Sequence, residues 1–327
     1  MAGDRGGRRQ LNQEHGAVAV VGEALIDLVP RDPDGLYQAV PGGSPANVAV
    51  GLARLQVPAR MVARVADDPF GRRIRRHLAG NGVDLGAVVT AAEPTSLAIV
   101  EVEPDGAVSY DFRVDGTADW QWRDAELDGV LGGGLLALHA GSLALTMPPG
   151  ADVLLRLLQR ARGGVTISYD PNARPLLMGS PERTLERVER LVALADVVKA
   201  SVEDVAWLLP GRPAEEVAAA WLVLGPALVA ITCGADGVVA VAAGTGLLRR
   251  PARRVSVVDT VGAGDAFTSA LLAGLHRRGL LGAGRRAALA AIGEAPLTEV
   301  LDEAVLAAAI TCTRRGADPP VLAELLG

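Results

Sequence analysis

The stretch "VVDTVGAGDAF" (257–267) sets one carboxylate, Asp265, at the end of a loop that carries almost no side chains. Gly262, Ala263 and Gly264 leave their N–H groups open to close approach by a ligand. A small-residue helix is expected to follow, and its N-terminal end carries partial positive charge. Loop and helix together would hold an anion. An acid beside an anion hole suits a general base, one that takes a proton from an alcohol as its oxygen attacks phosphorus. The plainer alternative is a helix N-cap after a glycine turn. The apolar run before the loop reads as a strand.

Other phosphate loops are excluded. A Walker loop needs a lysine after glycine, and the single lysine, Lys199, follows Val198. "GAGRRA" (282–287) fits G-x-G-x-x-A but follows no strand, so it reads as a turn in a surface connection. Cys233, Cys312 and four scattered histidines lack zinc-ligand spacing. The formal net charge is −6, with no basic footprint for nucleic acid. No stretch has membrane-spanning quality. Residues 1–15 are polar and basic without an apolar core, and read as a disordered tail on a cytoplasmic protein.

The elements that must position Asp265 follow a βα rhythm. "AVAVVGEALIDLVP" (17–30) begins as a buried central strand and carries Asp27 in apolar company. "PGGSPANVAVGLARL" (41–55) is a turn followed by a helix, and Asp68-Pro69 starts another. "SLAIVEVEPDGAVSYDFRV" alternates around Pro104-Asp105-Gly106, a hairpin pattern, and "GLYQAV" (35–40) alternates too. The alternating pieces, within about 28–41 and 96–114, are expected to form a small projecting sheet. From Leu135 the βα units resume, and a mostly parallel sheet covered on both faces is expected. The whole of 16–327 reads as a single domain.

"DTVGAGDAF" and "GGSPANVAV" resemble the two signatures of the PfkB (ribokinase-like) carbohydrate kinases. "GEALIDL", "ADDPFG", "DPNAR" and "TCGADG" follow in that family's order. The resemblance implies an α/β three-layer sandwich with a β-sheet lid, and ATP-dependent phosphorylation of a sugar primary hydroxyl. "VVGEALIDLVP", "YDFRVDGTADW" and "SYDPNARP" resemble bacterial fructokinases more than ribokinases or adenosine kinases. By resemblance Asp265 is the catalytic base, with Gly262, Ala263 and Gly264 as the anion hole. Asp27, Gly42, Gly43 and Asn47 match the sugar site, joined by Phe112 on the lid and Arg174. Lys199, Ser201, Thr232, Gly234 and Gly237 match the ATP site. Asp204 matches a water-mediated Mg²⁺ contact, and Asp259, Val261 and Gly316 a monovalent-cation site, often for K⁺. The lid's edge strands need cover, which implies a homodimer through the lids.

The chain departs from the pattern in places. Gln56 and Ala66 stand where the N-terminal signature usually has glycine. Ser201 and Asp204 replace Asn and Glu of N-x-x-E. Val305 takes the place of an adenine-pocket Asn, so apolar contact is expected to hold the base. Two readings compete with a fructokinase: another kinase of this fold (for ribose, 2-keto-3-deoxygluconate or a nucleoside), and a sugar-binding sensor with weakened catalysis. A dehydrogenase would need the strand-to-helix G-x-G-x-x-G that is missing.

Overall fold

The computed structural model describes residues 16–31, 35–102 and 108–326. The N-terminal segment and the Pro104-Asp105-Gly106 turn lie outside them. In chain order the strands are β1 (Ala17–Val21), β2 (Leu25–Pro30), β3 (Tyr37–Gly42), β4 (Ala59–Val62), β5 (Arg64–Ala66), β6 (Val89–Ala91) and β7 (Leu97–Val102). They continue with β8 (Val108–Arg113), β9 (Leu135–Gly141), β10 (Thr166–Asp170), β11 (Val197–Ser201), β12 (Leu228–Thr232), β13 (Val238–Ala242) and β14 (Gly246–Arg250).

Eight strands form the main sheet in the order β14-β13-β12-β11-β10-β9-β1-β4. The six from β12 to β4 are parallel, and β13 and β14 close one edge antiparallel. These strands are apolar almost throughout because both faces are covered. Val18 and Val20 point into one core, Ala19 and Val21 into the other, and β12 divides its side chains the same way. Helices Ser44–Arg54, Ala263–Arg277 and Glu294–Cys312 fill the first core. Helices Gly150–Ala161, Pro181–Leu194, Val202–Leu208 and Ala214–Leu224 fill the second. The helix starting at Pro69 is capped as its sequence implies, with the Asp68 carboxylate accepting from Gly71 N at 2.7 Å. Among the described residues no helix is long and apolar enough to cross a membrane.

A second sheet, β3-β2-β7-β8, projects as the lid. The β7–β8 hairpin and β3 fall where alternation placed them. Its remaining strand was hidden in the sequence. The run 17–30 is not one strand but two. Gly22, at φ 153, breaks it, and β2 carries Asp27 into the lid instead of extending the main sheet. The lid therefore begins at Leu25, earlier than the alternation suggested.

Two other expectations need correction. The apolar run before the glycine loop is not a strand. Residues 251–260 are irregular, Val257 and Val258 are 62% and 58% exposed, and Val258 N donates to Cys312 O. The sheet edge is already occupied by β14, so apolar composition alone misled. The connection around "GAGRRA" is more than surface. It turns into a short helix, Arg286–Ala290, and buries Leu281, Leu289 and Ile292 in the core. Val305 lies in the first core, 6% exposed.

Gln56 has φ 62, the left-handed region that favours glycine, which gives a physical reason for the glycine usual there. Left-handed strain for a non-glycine costs about 1–2 kcal/mol, and a glycine's extra chain entropy returns roughly 0.5–1 of it. Gln56→Gly should therefore stabilise the protein by about 0.5–1 kcal/mol in urea unfolding. A loss of stability would contradict the strain reading.

Candidate active site

The parallel strands β10, β11 and β12 end at Asp170, Ser201 and Thr232, and the candidate site lies at this end of the sheet. Ligand crevices of open α/β sheets form at the carboxyl ends of strands. Helix Ala263–Arg277 begins there with Gly262 as its N-cap, in the left-handed conformation (φ 77, ψ 0). A Cβ on Gly262 would lie 2.5 Å from that of Ala317, so both conformation and space require glycine.

Asp265 is the third residue of this helix and does not cap it. Its carboxylate turns toward helix Ser44–Arg54. Ser44 Oγ donates to Oδ1 at 2.6 Å, and Asn47 Nδ2 donates to Oδ2 at 2.8 Å. The two donors are three residues apart and share one helix face. They orient the carboxylate while each oxygen keeps a second lone pair for a proton. The sequence reading placed Asn47 at the sugar. The structure also joins it to Asp265, and Ser44 was missed. Its signal was present: a hydroxyl three residues before Asn47 at a helix start. Gly43 precedes this helix at φ 99, where a Cβ would meet Glu23 O at 2.7 Å.

Behind the glycine loop lies the chain's one lysine. Lys199 Nζ is 2.9 Å from where a Cβ on Gly264 would stand, and 3.0 Å from Asp170 Oδ2. Both side chains are almost fully buried. Burial pushes Asp170 up to about 6, with Lys199 opposing it. Burial would also strip the proton from Lys199, but Asp170, Asp204 and Asp265 outweigh it and raise its pKa. A protonated ammonium thus underlies the anion loop and adds to the helix N-terminus. Asp170, the first residue of "DPNAR", was not picked out from sequence. Its signal was an acid ending an apolar strand.

Asp204 is held within the protein. Oδ1 accepts from Ala173 N at 2.6 Å, and Oδ2 accepts from Ser201 N and Ser201 Oγ, each at 2.8 Å. Ser201 and Asp204 form a reciprocal capping box, which the shorter Asp completes. Thr232 pairs with Ser201 across β11–β12. Gly234 (φ 53) and Gly237 (φ 96) make the turn that follows, and a Cβ on Gly237 would lie 2.1 Å from Arg250 O. Asp259 gathers the proposed cation residues. Its oxygens accept from Val261 N at 3.0 Å and Gly316 N at 2.8 Å.

On the lid, Asp27 lies in a row with Ala98 and Phe112, cross-strand partners on one face of the sheet. Burial pushes Asp27 up to about 6. Arg174 pulls against this, and Asp265 adds to it. The same pattern brings in Tyr110, stacked on Phe112 with ring centroids 5.8 Å apart, in the field of Asp27, Arg174 and Asp259. Arg174 is exposed, and its guanidinium donates to Asn172 O, Asn172 Oδ1 and Ala173 O. The lid acid, the base and a cation therefore share one electrostatic neighbourhood.

The model of the pfkB family carbohydrate kinases matches residues 16–324. The chain belongs to that family. A fructokinase of Klebsiella pneumoniae is 37% identical over 272 residues, covering 81% of this chain and 86% of that protein. The crystal structure of a Xylella fastidiosa fructokinase with bound ATP superposes with a TM-score of 0.86 at 30% identity, covering 95% of this chain and 97% of that one. A double mutant of a fructokinase from Vibrio cholerae O395, with fructose, ADP and potassium ion bound, gives 0.80 at 29% identity, covering 95% of each chain. The ribokinase-like fold and ATP-dependent carbohydrate kinase activity stand on these matches.

A Cβ on Gly42 would lie 2.1 Å from Asp27 Oδ2 and displace the lid acid. A misplacement of about 1 Å in such a site costs up to ~100-fold. Gly42→Ala should accordingly raise the sugar KM by at least ~10-fold and leave the ATP KM within about twofold. Equal effects on both substrates would contradict a local role for Gly42.

Proposed function

We propose that this carbohydrate kinase transfers the γ-phosphoryl group of ATP to a primary hydroxyl of fructose, with Asp265 as the base. The observation that carries the reading is the double clasp of Ser44 and Asn47 on Asp265. It aims one carboxylate between the anion loop and the lid acid Asp27. The fructose assignment is supported by the relatives at 35–37% identity called fructokinases.

In this reading Asp27 accepts from sugar hydroxyls, and Phe112, with Tyr110 stacked on it, packs on the sugar. Arg174 orients substrate oxygens. The backbone N–H groups of Gly262, Ala263 and Gly264, with Lys199 behind them, stabilise the charge that develops on the transferring group. Asp265 removes the hydroxyl proton as the oxygen attacks. Ser201, Thr232, Gly234 and Gly237 line the nucleotide side. The lid excludes water and so limits wasteful ATP hydrolysis.

Among the described residues no cluster of three metal-ligating side chains occurs. That suits Mg²⁺, which keeps several waters and rides on substrate phosphates with one or two carboxylates. Asp204, with three of its roughly four acceptor positions used, fits a contact through water. The ion would neutralise charge on the phosphates. Asp259, Val261 and Gly316 would hold a monovalent cation beside the loop.

Three results test this. In a coupled ADP-release assay with Mg-ATP, fructose should give by far the highest kcat/KM among fructose, ribose, 2-keto-3-deoxygluconate, glucose and adenosine. Preference for another sugar would overturn the pocket reading and keep the family. Silence on all five with ATP still bound would favour a sensor. The pH profile adds a second check. Asp27 must be ionised to accept from hydroxyls, so kcat/KM for the sugar should fall about tenfold per pH unit below about pH 6. A flat profile down to pH 5 would remove Asp27 from the sugar site. Finally, a homodimer joined through the lids is expected by sedimentation at micromolar concentration, and a monomer would refute it.

A further inference from the structure

Four chain crossings join the lid to the body, and two buried acids sit among them. Asp119 is 1% exposed. Its Oδ1 accepts from Ala24 N at 2.8 Å, at the root of β2. Its Oδ2 lies 2.5 Å from Ser96 Oγ, at the root of β7. Ser96 Oγ lies 2.6 Å from Thr117 Oγ1, which lies 2.7 Å from Val114 O, just beyond β8. One carboxyl group therefore ties three of the four lid roots. The fourth root, Gly43, packs against the backbone of Glu23. Glu23 is buried too, and its carboxyl accepts from Ala144 N of the body at 3.3 Å.

The hydrogen bonds of this chain change with the state of Asp119, whose carboxyl burial pushes up to about 6. The chain Asp119–Ser96–Thr117–Val114 O has three short O···O contacts. Ser96 and Thr117 bring one proton each. With Asp119 ionised, Ser96 donates to it and Thr117 donates to Val114 O, leaving the 2.6 Å contact without a proton. A proton on Asp119 completes the chain. Asp119 then donates to Ser96, Ser96 to Thr117, and Thr117 to the carbonyl.

The surrounding charges pull both ways. Glu23, from the link between β1 and β2, is the like charge facing Asp119. Arg64, on β5, is the cation facing it. Arg64 already pairs with Glu93 and Glu126 and donates to Ala118 O. Burial pushes Asp119 up to about 6 and Glu23 up to about 7.

We propose that Asp119 is a positioning residue for phosphoryl transfer: its carboxyl group fastens three lid roots and so sets Asp27, on β2, above Asp265. It does not touch the substrate. The inference rests on the sugar-site reading of Asp27 for its kinetic arm only; its stability arm needs no sugar.

The test compares the full-length wild type with Asp119→Asn, Asp119→Ala and Ser96→Ala. Asn reproduces the protonated carboxyl, accepting from Ala24 N and donating to Ser96. Asp119→Ala should raise the sugar KM about 10-fold or more and leave the ATP KM within about twofold. Asp119→Asn should stay within about threefold of wild type. Ser96→Ala breaks the same chain one link away and should raise the sugar KM in the same sense, which keeps the test alive if Asp119→Ala does not fold.

The stability arm measures Tm at pH 5 and pH 8. A carboxyl whose pKa the fold raises stabilises most below its unfolded value and loses that contribution as pH rises through about 6. Asp27 and Asp170 titrate in both proteins and cancel, so the difference between wild type and Asp119→Asn reports Asp119 together with its coupling to Glu23. Wild type should lose more Tm between pH 5 and 8 than Asp119→Asn. Equal losses, or an Asn variant as impaired in sugar KM as the Ala variant, would overturn the proposal. So would Ala kinetics matching wild type.

Discussion

The Asp265 carboxylate must answer to two parts of the chain at once. Asp265 sits on the helix that starts the anion loop, while its two hydrogen bonds come from the helix that starts beneath the lid. Ser44 and Asn47 are more than 200 residues away from it in sequence. Those bonds hold only if the two helices pack rigidly side by side. Much of the first core does that work, with Val48, Leu52, Phe267, Ala270 and Leu271 fully or nearly fully buried in it. A fully exposed base would gain rotamer freedom and lose aim. Geometry within about half an ångström is what separates a positioned base from a nearby acid.

The same constraint explains the buried charges. An ammonium sunk among apolar strands is costly unless paired. Lys199 is paired with Asp170 and lies against Gly264, so its charge is pinned behind the loop without occupying it. A longer residue at position 264 would push the ammonium away, and a side chain at 262 would strike Ala317. The small residues of the loop thus serve two surfaces, the ligand in front and the packed charge or turn behind. On the lid, Asp27 carries the matching cost. It stays close enough to Asp265 to feel its charge, and Arg174 offsets part of that repulsion.

Much of this was legible in the residues. The anion loop, the lid hairpin and the βα rhythm follow from glycine placement and from the two hydrophobic periods. The lid's second strand was not legible, because "AVAVVGEALIDLVP" is apolar on both sides of its break. Only the backbone at Gly22 separates the halves. The strand expected before the loop failed for a related reason: composition says apolar, but edge occupancy decides whether a strand can pair. At the site, residue types singled out Asp265 and the glycines, and the family resemblance added Asp27. They did not identify Ser44 or Asp170, since a serine at a helix start and an acid at a strand end have common structural uses. Asn47 was placed at the site, and its hydrogen bond to Asp265 was not foreseen, because an amide serves a sugar or a carboxylate equally well.

The most direct measurement is single-turnover phosphoryl transfer by Asp265→Asn with saturating ATP and sugar, beside equilibrium binding of both ligands. A variant that binds both with near wild-type affinity and transfers at least ~100-fold more slowly is the predicted result. Near-normal transfer would mean that the proton leaves by another route, and that the clasp of Ser44 and Asn47 orients something other than the base.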